Sequence, residues 1–307
     1  MDRIDRRGFL ECMAWAGTGV LWAAAGGVVS SRLITQAAAA EAPTGGFSFV
    51  QISDTHVGFR GQANKDAVAT LQQVVARINA LDPAPAFVLH TGDQTHGQKA
   101  GAFDTVAEIL KGLRAERVFY VPGEHDVFLD GGKEYLARYG AGTVGGRGWQ
   151  SFEHRGTHFV GLVNVLQYKG EGVGALGEEQ IEWLRKDLAP LADSTPVVVF
   201  SHVPLWAVYP QWGWTTEDAE RALAFLRRFG SVTVLNGHIH QVLQKVEGTV
   251  RFHTAMSTAF PQPAPGSAPG PGPMKIPEPA ARRLLGLREV TYVPGRQPLA
   301  VVDSTLG

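Results

Sequence analysis

From residue 45 onward, short and continuously apolar runs alternate with segments whose apolar positions recur every three to four residues. The runs FSFVQIS (47–53), AFVLH (86–90), RVFYV (117–121), HFVGLVN (158–164), PVVVFS (196–201) and SVTVLN (231–236) are rich in Val and Phe. They lack the alternation of a half-exposed strand, so they predict strands buried on both faces. Between them, AVATLQQVVARINAL (67–81) carries helical periodicity, as do 102–113, 177–188 and 216–229, the last with Gly230 as a stop. Arg155-Gly156 and Glu247-Gly248 predict the turns of two hairpins. The pattern is α/β, with one long sheet or two packed mixed β-sheets flanked by helices. Residues 261–279, PQPAPGSAPGPGPMKIPEP, break it and read as a loop or linker, with folding over a site as the alternative. One or two last strands are expected at 289–293 and 298–303.

Composition changes the picture at the N-terminus. Residues 5–11 read DRRGFLE, followed by an Ala/Gly-rich apolar stretch and TQAAAAEAP. This resembles a twin-arginine export signal at Arg6, Arg7, Phe9 and Leu10, with Glu11 departing from the pattern. The expected organisation is a signal over 1–40, a catalytic domain over 41–260, and a Pro/Gly-rich loop with a C-terminal tail over 261–307. Export through the twin-arginine machinery implies a periplasmic or secreted protein. An uncleaved anchor is the alternative, since the apolar run is near the ~18-residue lower limit for spanning a bilayer. The mature chain is expected not to span a membrane.

With 28 basic and 29 acidic residues the chain has no polyanion-binding bias, and no nucleic-acid partner is predicted. Its one cysteine, Cys12, lies in the expected signal, so a mature chain has neither a disulfide nor a thiolate metal ligand. Any metal must be held by His, Asp, Glu or amide groups.

Such groups follow the apolar runs. The first run leads into Asp54-Thr55-His56, the second into Gly92-Asp93, and the third into Gly123-Glu124-His125-Asp126. The run at 196–201 leads into His202, and that at 231–236 into Gly237-His238-Ile239-His240. Five such endings at one sheet edge make a ligand cluster: Asp54, His56, Asp93, Glu124, His202, His238 and His240. Seven donors exceed the four or so of one zinc and suit two metals sharing a carboxylate. An extended backbone would aim Asp54 with His56, and His238 with His240, at one face. Gly92, Gly123 and Gly237 would permit close backbone approach.

The set DTH, GD, GEHD, SH and GHIH resembles the calcineurin-like metallophosphoesterases over about residues 47–260, most closely the bacterial class III cyclic-nucleotide phosphodiesterase branch. The resemblance implies a four-layer sandwich and a binuclear centre of Fe, Mn or Zn, with a mixed ferric–divalent pair as one form. It implies that Asp54, His56 and His240 bind one metal, that Asp93 bridges, and that His202, His238 and position 124 bind the other. His125 would be the general acid, oriented by Asp126, while a metal-bound hydroxide attacks phosphorus. Glu124 departs from the family, which has Asn there. Two divalent ions against three carboxylates leave one net positive charge, where Asn would leave two. A harder or trivalent metal would restore the difference.

The expected function is an exported binuclear phosphoesterase acting on small phosphoesters, diesters first. Alternatives are nucleotide phosphomonoesterase or pyrophosphatase activity, a catalytically weakened metal-binding protein because of Glu124, or phospholipid hydrolysis at a membrane surface. His96 is a candidate phosphate contact. Trp206 and Tyr209, in the loop VPLWAVYPQWGW, are candidate substrate contacts, with a self-packed loop as the plain reading. His90, His154, His158 and His253 read as structural.

Overall fold

The computed structural model describes residues 45–168, 173–295 and 299–307, together with the backbone of a two-stranded hairpin at Val20–Ala25 and Val28–Leu33. The rest of the expected export signal lies outside the described residues. Among those described, no helix is long and apolar enough to cross a membrane.

Two mixed sheets carry the fold. The first is built on β1 (Phe47–Ile52), β2 (Val88–Thr91) and β3 (Val118–Val121), all parallel. The second contains the hairpin β4 (Gln150–His154) and β5 (Thr157–Gly161), then β6 (Val197–Ser201), β7 (Val232–Asn236), and the hairpin β8 (Gln244–Glu247) and β9 (Val250–Thr254). Its order is β8-β9-β7-β6-β5-β4, with β5, β6, β7 and β9 parallel. Both hairpins turn where the Arg-Gly and Glu-Gly dipeptides predict.

Near the C-terminus, β10 (Gly286–Tyr292) and β11 (Ala300–Thr305) extend the first sheet, with β10 antiparallel to β1. Its order is β11-β10-β1-β2-β3.

Helices cover the outer faces. Against the first sheet lie α1 (Ala67–Asn79), capped by the Asp66 side chain, and α2 (Ala102–Leu110). A short α3 (Lys133–Tyr139) follows β3, and α4 (Glu178–Leu188) and α5 (Ala219–Leu226) cover the second sheet. A one-turn α6 (Glu278–Arg282) precedes β10.

The continuous apolar runs are explained by this layering. In β1, Phe47 and Phe49 face the second sheet while Val50 and Ile52 face the helices. In β6, Val198 and Phe200 enter the inter-sheet layer while Val197 and Val199 meet α4 and α5. Ring contacts such as Phe49–Phe87 (5.2 Å between centroids) and Phe87–Phe159 (5.2 Å) fill the space between sheets. The carboxyl ends of β1, β2, β3, β6 and β7 therefore open toward one edge, and each is rigidly held by a core on both sides.

Candidate metal centre

Each of the seven predicted donors sits one to four residues beyond one of those five strand ends, and the structure brings all seven together. Asp54 Oδ1 is 3.2 Å from His240 Nε2, which is 3.3 Å from His56 Nε2. On the other side Glu124 Oε2 is 2.9 Å from His202 Nε2, and Glu124 Oε1 is 3.1 Å from His238 Nδ1. Asp93 Oδ2 stands between the two groups, 3.4 Å from His56 Nε2 and 3.5 Å from His202 Nε2. The other oxygen of Asp93 accepts the backbone amide of His125 at 2.9 Å, which leaves Oδ2 free.

The backbone reaches this arrangement differently from the extended geometry expected. Asp54, His56, Asp93, His238 and His240 all have left-handed φ, from 39° to 68°. Such a conformation costs a non-glycine residue about 1–2 kcal/mol, so the surroundings must impose it. They do so by bonds between loops. The amides of Asp54 and His56 donate to the carbonyls of Gly92 and Asp93 (3.0 and 2.9 Å), and the His238 amide donates to the Asp54 carboxylate. Close approach at the glycines is as predicted. A β-carbon at Gly123 would fall 2.0 Å from Asp93 Oδ1, and one at Gly237 would fall 2.0 Å from Ser53 Oγ.

Neighbouring carbonyls fix two of the imidazoles. His202 Nδ1 donates to Thr91 O (2.7 Å) and His240 Nδ1 to Phe260 O (2.6 Å), so the Nε2 lone pair of each points into the cluster.

The donor set fits metal ions. Atoms bound at about 2.0–2.2 Å to one ion lie roughly 3–3.5 Å apart, which is the spacing seen. Glu124 Oε2, His202 Nε2 and both ring nitrogens of His238 are buried without a properly directed hydrogen bond, so their close approaches serve no hydrogen-bonded network. Electrostatics agree. Burial raises the Glu124 carboxyl, but His238 and His202 outweigh it and hold its pKa well below the carboxylate range. Burial opposes a charge on His202, yet Asp93 and Glu124 lift it well above the usual imidazole value.

Beside these donors, His125 and His96 stack at 5.0 Å between ring centroids, and His96 Nδ1 lies 3.2 Å from His56 Nδ1. Burial, then the neighbouring His125, lowers His96 to a pKa of about 4, so its ring is neutral.

Asp126 does not meet its expected role. Its carboxylate accepts the amides of Gln94, Thr95 and Gly123 and the Thr95 hydroxyl (2.9–3.2 Å), and no hydrogen bond to the His125 ring is present among the described residues. It ties the β2 and β3 loops together instead. Burial, reinforced by Asp93, raises it to about 7.

A cavity of about 690 Å³ opens over the cluster. Its walls correct the aromatic assignments. Trp206 packs on Phe252 in the helix-side core (5.1 Å), and Tyr209 packs edge-on against Trp212 (5.2 Å); neither lines the cavity. Trp212, Trp214 and Tyr168 line it instead, although both tryptophans are largely covered by one another and by Ile239. The self-packed reading of this loop therefore holds for most of its surface. The Pro/Gly-rich segment is a wall rather than a linker, with Gln262 and residues 269–273 facing the cavity. Phe260, also absent from the expected site, packs on His56 (4.7 Å) and His240 (4.5 Å). Its position immediately before the proline run is the sequence signal that could have found it.

His90 is buried against Thr55 Oγ1 (3.2 Å), and His158 sits between Glu153 and Asp187.

Residues 47–242 match the family model described as calcineurin-like phosphoesterase. The chain belongs to this family. As a phosphoesterase it is a hydrolase with groups of potential metal ligands at the expected strand ends. A relative in Rhodopseudomonas palustris, described as a "probable cyclic nucleotide phosphodiesterase", is 30% identical over 237 residues, covering 72% of this chain and 83% of that protein. The 3',5'-cyclic adenosine monophosphate phosphodiesterase CpdA of Escherichia coli is 28% identical over 202 residues, covering 63% of this chain and 70% of that one. The phosphoesterase also shares its fold with a dimetal phosphatase from Danio rerio, with a TM-score of 0.60 at 17% identity over 85% of this chain and 99% of the other.

Proposed function

We propose that this chain is an exported, binuclear metal-dependent phosphodiesterase. One observation carries the reading: a single oxygen, Asp93 Oδ2, faces two separate donor sets, at 3.4 Å from His56 and 3.5 Å from His202. In this reading Asp54, His56 and His240 would hold one ion and Glu124, His202 and His238 the second, with the Asp93 carboxylate available to both sets. Fe, Mn or Zn suits these nitrogen and oxygen donors, with a ferric–divalent pair matching the extra charge of Glu124. Two ions held there supply Lewis acidity, polarising the phosphoryl group and making water a competent nucleophile at neutral pH.

The chain's own residues do the rest. His125 lines the cavity next to Asp93 and Glu124, where it can give a proton to the departing ester oxygen. Its ring is placed by the stack on His96 and its backbone by the hydrogen bond that its N–H donates to Asp93, not by Asp126. The described cavity lining carries no Arg or Lys to compensate a second phosphoryl charge, which favours a diester monoanion over a monoester; Lys169 lies outside the described residues. Similarity to proteins named as cyclic nucleotide phosphodiesterases supports the same preference. The twin-arginine pattern at Arg6-Arg7 supports export to the periplasm or beyond.

Turnover of bis-p-nitrophenyl phosphate against p-nitrophenyl phosphate, with Mn, Fe and Zn supplied separately, tests the activity. Preference for the diester is expected. Faster monoester cleavage with every metal contradicts it, and no turnover despite bound metal supports the weakened metal-binding alternative.

A further inference from the structure

Segment 261–273 contains six prolines and forms neither helix nor strand. Proline fixes φ but gives up a backbone donor, so such a wall must be held by other bonds. One side chain bridges its two ends. Gln262 Nε2 donates to the carbonyl of His238 at 2.8 Å, and Gln262 Oε1 accepts the amide of Gly272 at 2.9 Å. Gln241, one residue beyond His240, donates to the carbonyls of Gln262 (3.2 Å) and Pro263 (2.6 Å), and the Met274 amide closes the loop on Pro261 O (2.9 Å). The far end of the segment, 269–273, forms one side of the cavity.

Resting on the phosphodiesterase reading above, we infer that Gln262 is a positioning residue: it clips this wall to the H-x-H turn of the metal centre, and the clipped wall selects substrates by the size of the second ester group on phosphorus. The metals and His125 act on the phosphoryl group itself. The group that does not leave must lie along the cavity, and a wall fixed against His238 gives it a surface at a constant distance from phosphorus. Gly272 is part of the device. Its φ of +131° disfavours any side chain, although nothing lies within 4 Å of a β-carbon placed there.

Gln262→Ala and Gly272→Ala, each in the metal-loaded full chain, test this by two readouts. The first is amide hydrogen exchange. Pro269, Pro271 and Pro273 have no amide, so in 269–273 only Gly270 and Gly272 report. Gln262→Ala is expected to speed exchange at Gly272 by about fivefold or more, the equivalent of one lost hydrogen bond, without change in β7. The second is kinetics on bis-p-nitrophenyl and methyl p-nitrophenyl phosphate. Both variants are expected to keep their metal and to raise KM for the bulky diester by about five- to tenfold. The methyl ester should change little, and kcat for both should stay within about twofold. Unchanged Gly272 exchange, unchanged KM in either variant, or equal losses on both esters with loss of metal would overturn the inference. A wild-type chain that cleaves neither diester would instead overturn the proposed activity, leaving exchange alone to decide the clip.

Discussion

Glu124 places one carboxylate oxygen 2.9 Å from His202 Nε2 and the other 3.1 Å from His238 Nδ1. The pair of contacts makes Glu124 a member of the donor set and adds a negative charge to it. Replacement by asparagine raises the net charge of a loaded centre by one. Glu124→Asn is therefore expected to move metal preference toward two divalent ions and to lower KM for an anionic diester severalfold. Metal content after reconstitution in equal Fe, Mn and Zn, read beside KM, checks this. Identical content and KM in both proteins would show that the charge does not matter.

His125 lines the cavity but belongs to neither three-donor set built on the H-x-H turn. His125→Ala should retain both metals. It should cost about 10²–10⁴-fold in kcat on a diester with an alkyl or sugar leaving group, and far less on a nitrophenyl ester whose oxygen needs no proton. Loss of metal, or equal losses on both substrates, would remove His125 from the acid role.

Asp126 accepts four donors within a buried loop junction. In Asp126→Asn one acceptor oxygen becomes an NH₂ group facing N–H or O–H donors. The expected result is a loss of about 2 kcal/mol or more in unfolding free energy, with the alkaline limb of the pH–rate profile, where a general acid loses its proton, unmoved. Urea unfolding of the metal-free protein measures the first, and a profile on a poor leaving group measures the second.

The donors were legible in the sequence because each follows a strand whose apolar run is unmistakable. A buried strand fixes where its next residues emerge, and five such ends at one edge could only converge. Their backbone conformation was not legible. The D-x-H and H-x-H spacings suggested extended chain, whereas φ is left-handed at Asp54, His56, His238 and His240, and bonds to other loops hold the first three. The same non-locality hid Asp126, whose carboxylate is claimed by amides some thirty residues away. It also hid the cavity walls. Trp206 and Trp212 look alike in the sequence, and only the position of Phe252 against one and Ile239 near the other separates core from rim. The proline run read as a linker because its anchors are single side chains rather than a periodic face.

Away from the centre, His158 bridges Glu153 and Asp187 across β4, β5 and α4. Burial pulls its pKa down, but the bonds to Asp187 and Glu153 outweigh it and raise it above 6.5. A raised folded pKa means that the charged form is stabilised. That contribution is fully present below the unfolded value near 6.5 and is lost as pH rises through the folded one. Glu153 is half exposed, so its share is screened by solvent. His158→Gln should thus destabilise the protein more at about pH 5.5 than at about pH 9. A pH-independent difference in unfolding free energy would show that the bridge carries no charge.

The most direct test is a crystal structure of the metal-reconstituted protein with anomalous data collected at the metal edges. Two peaks are expected about 3.5–4 Å apart on either side of Asp93 Oδ2, one against His56 and His240 and the other against His202 and His238. A single peak, or none within the cluster at saturating metal, would contradict the binuclear account.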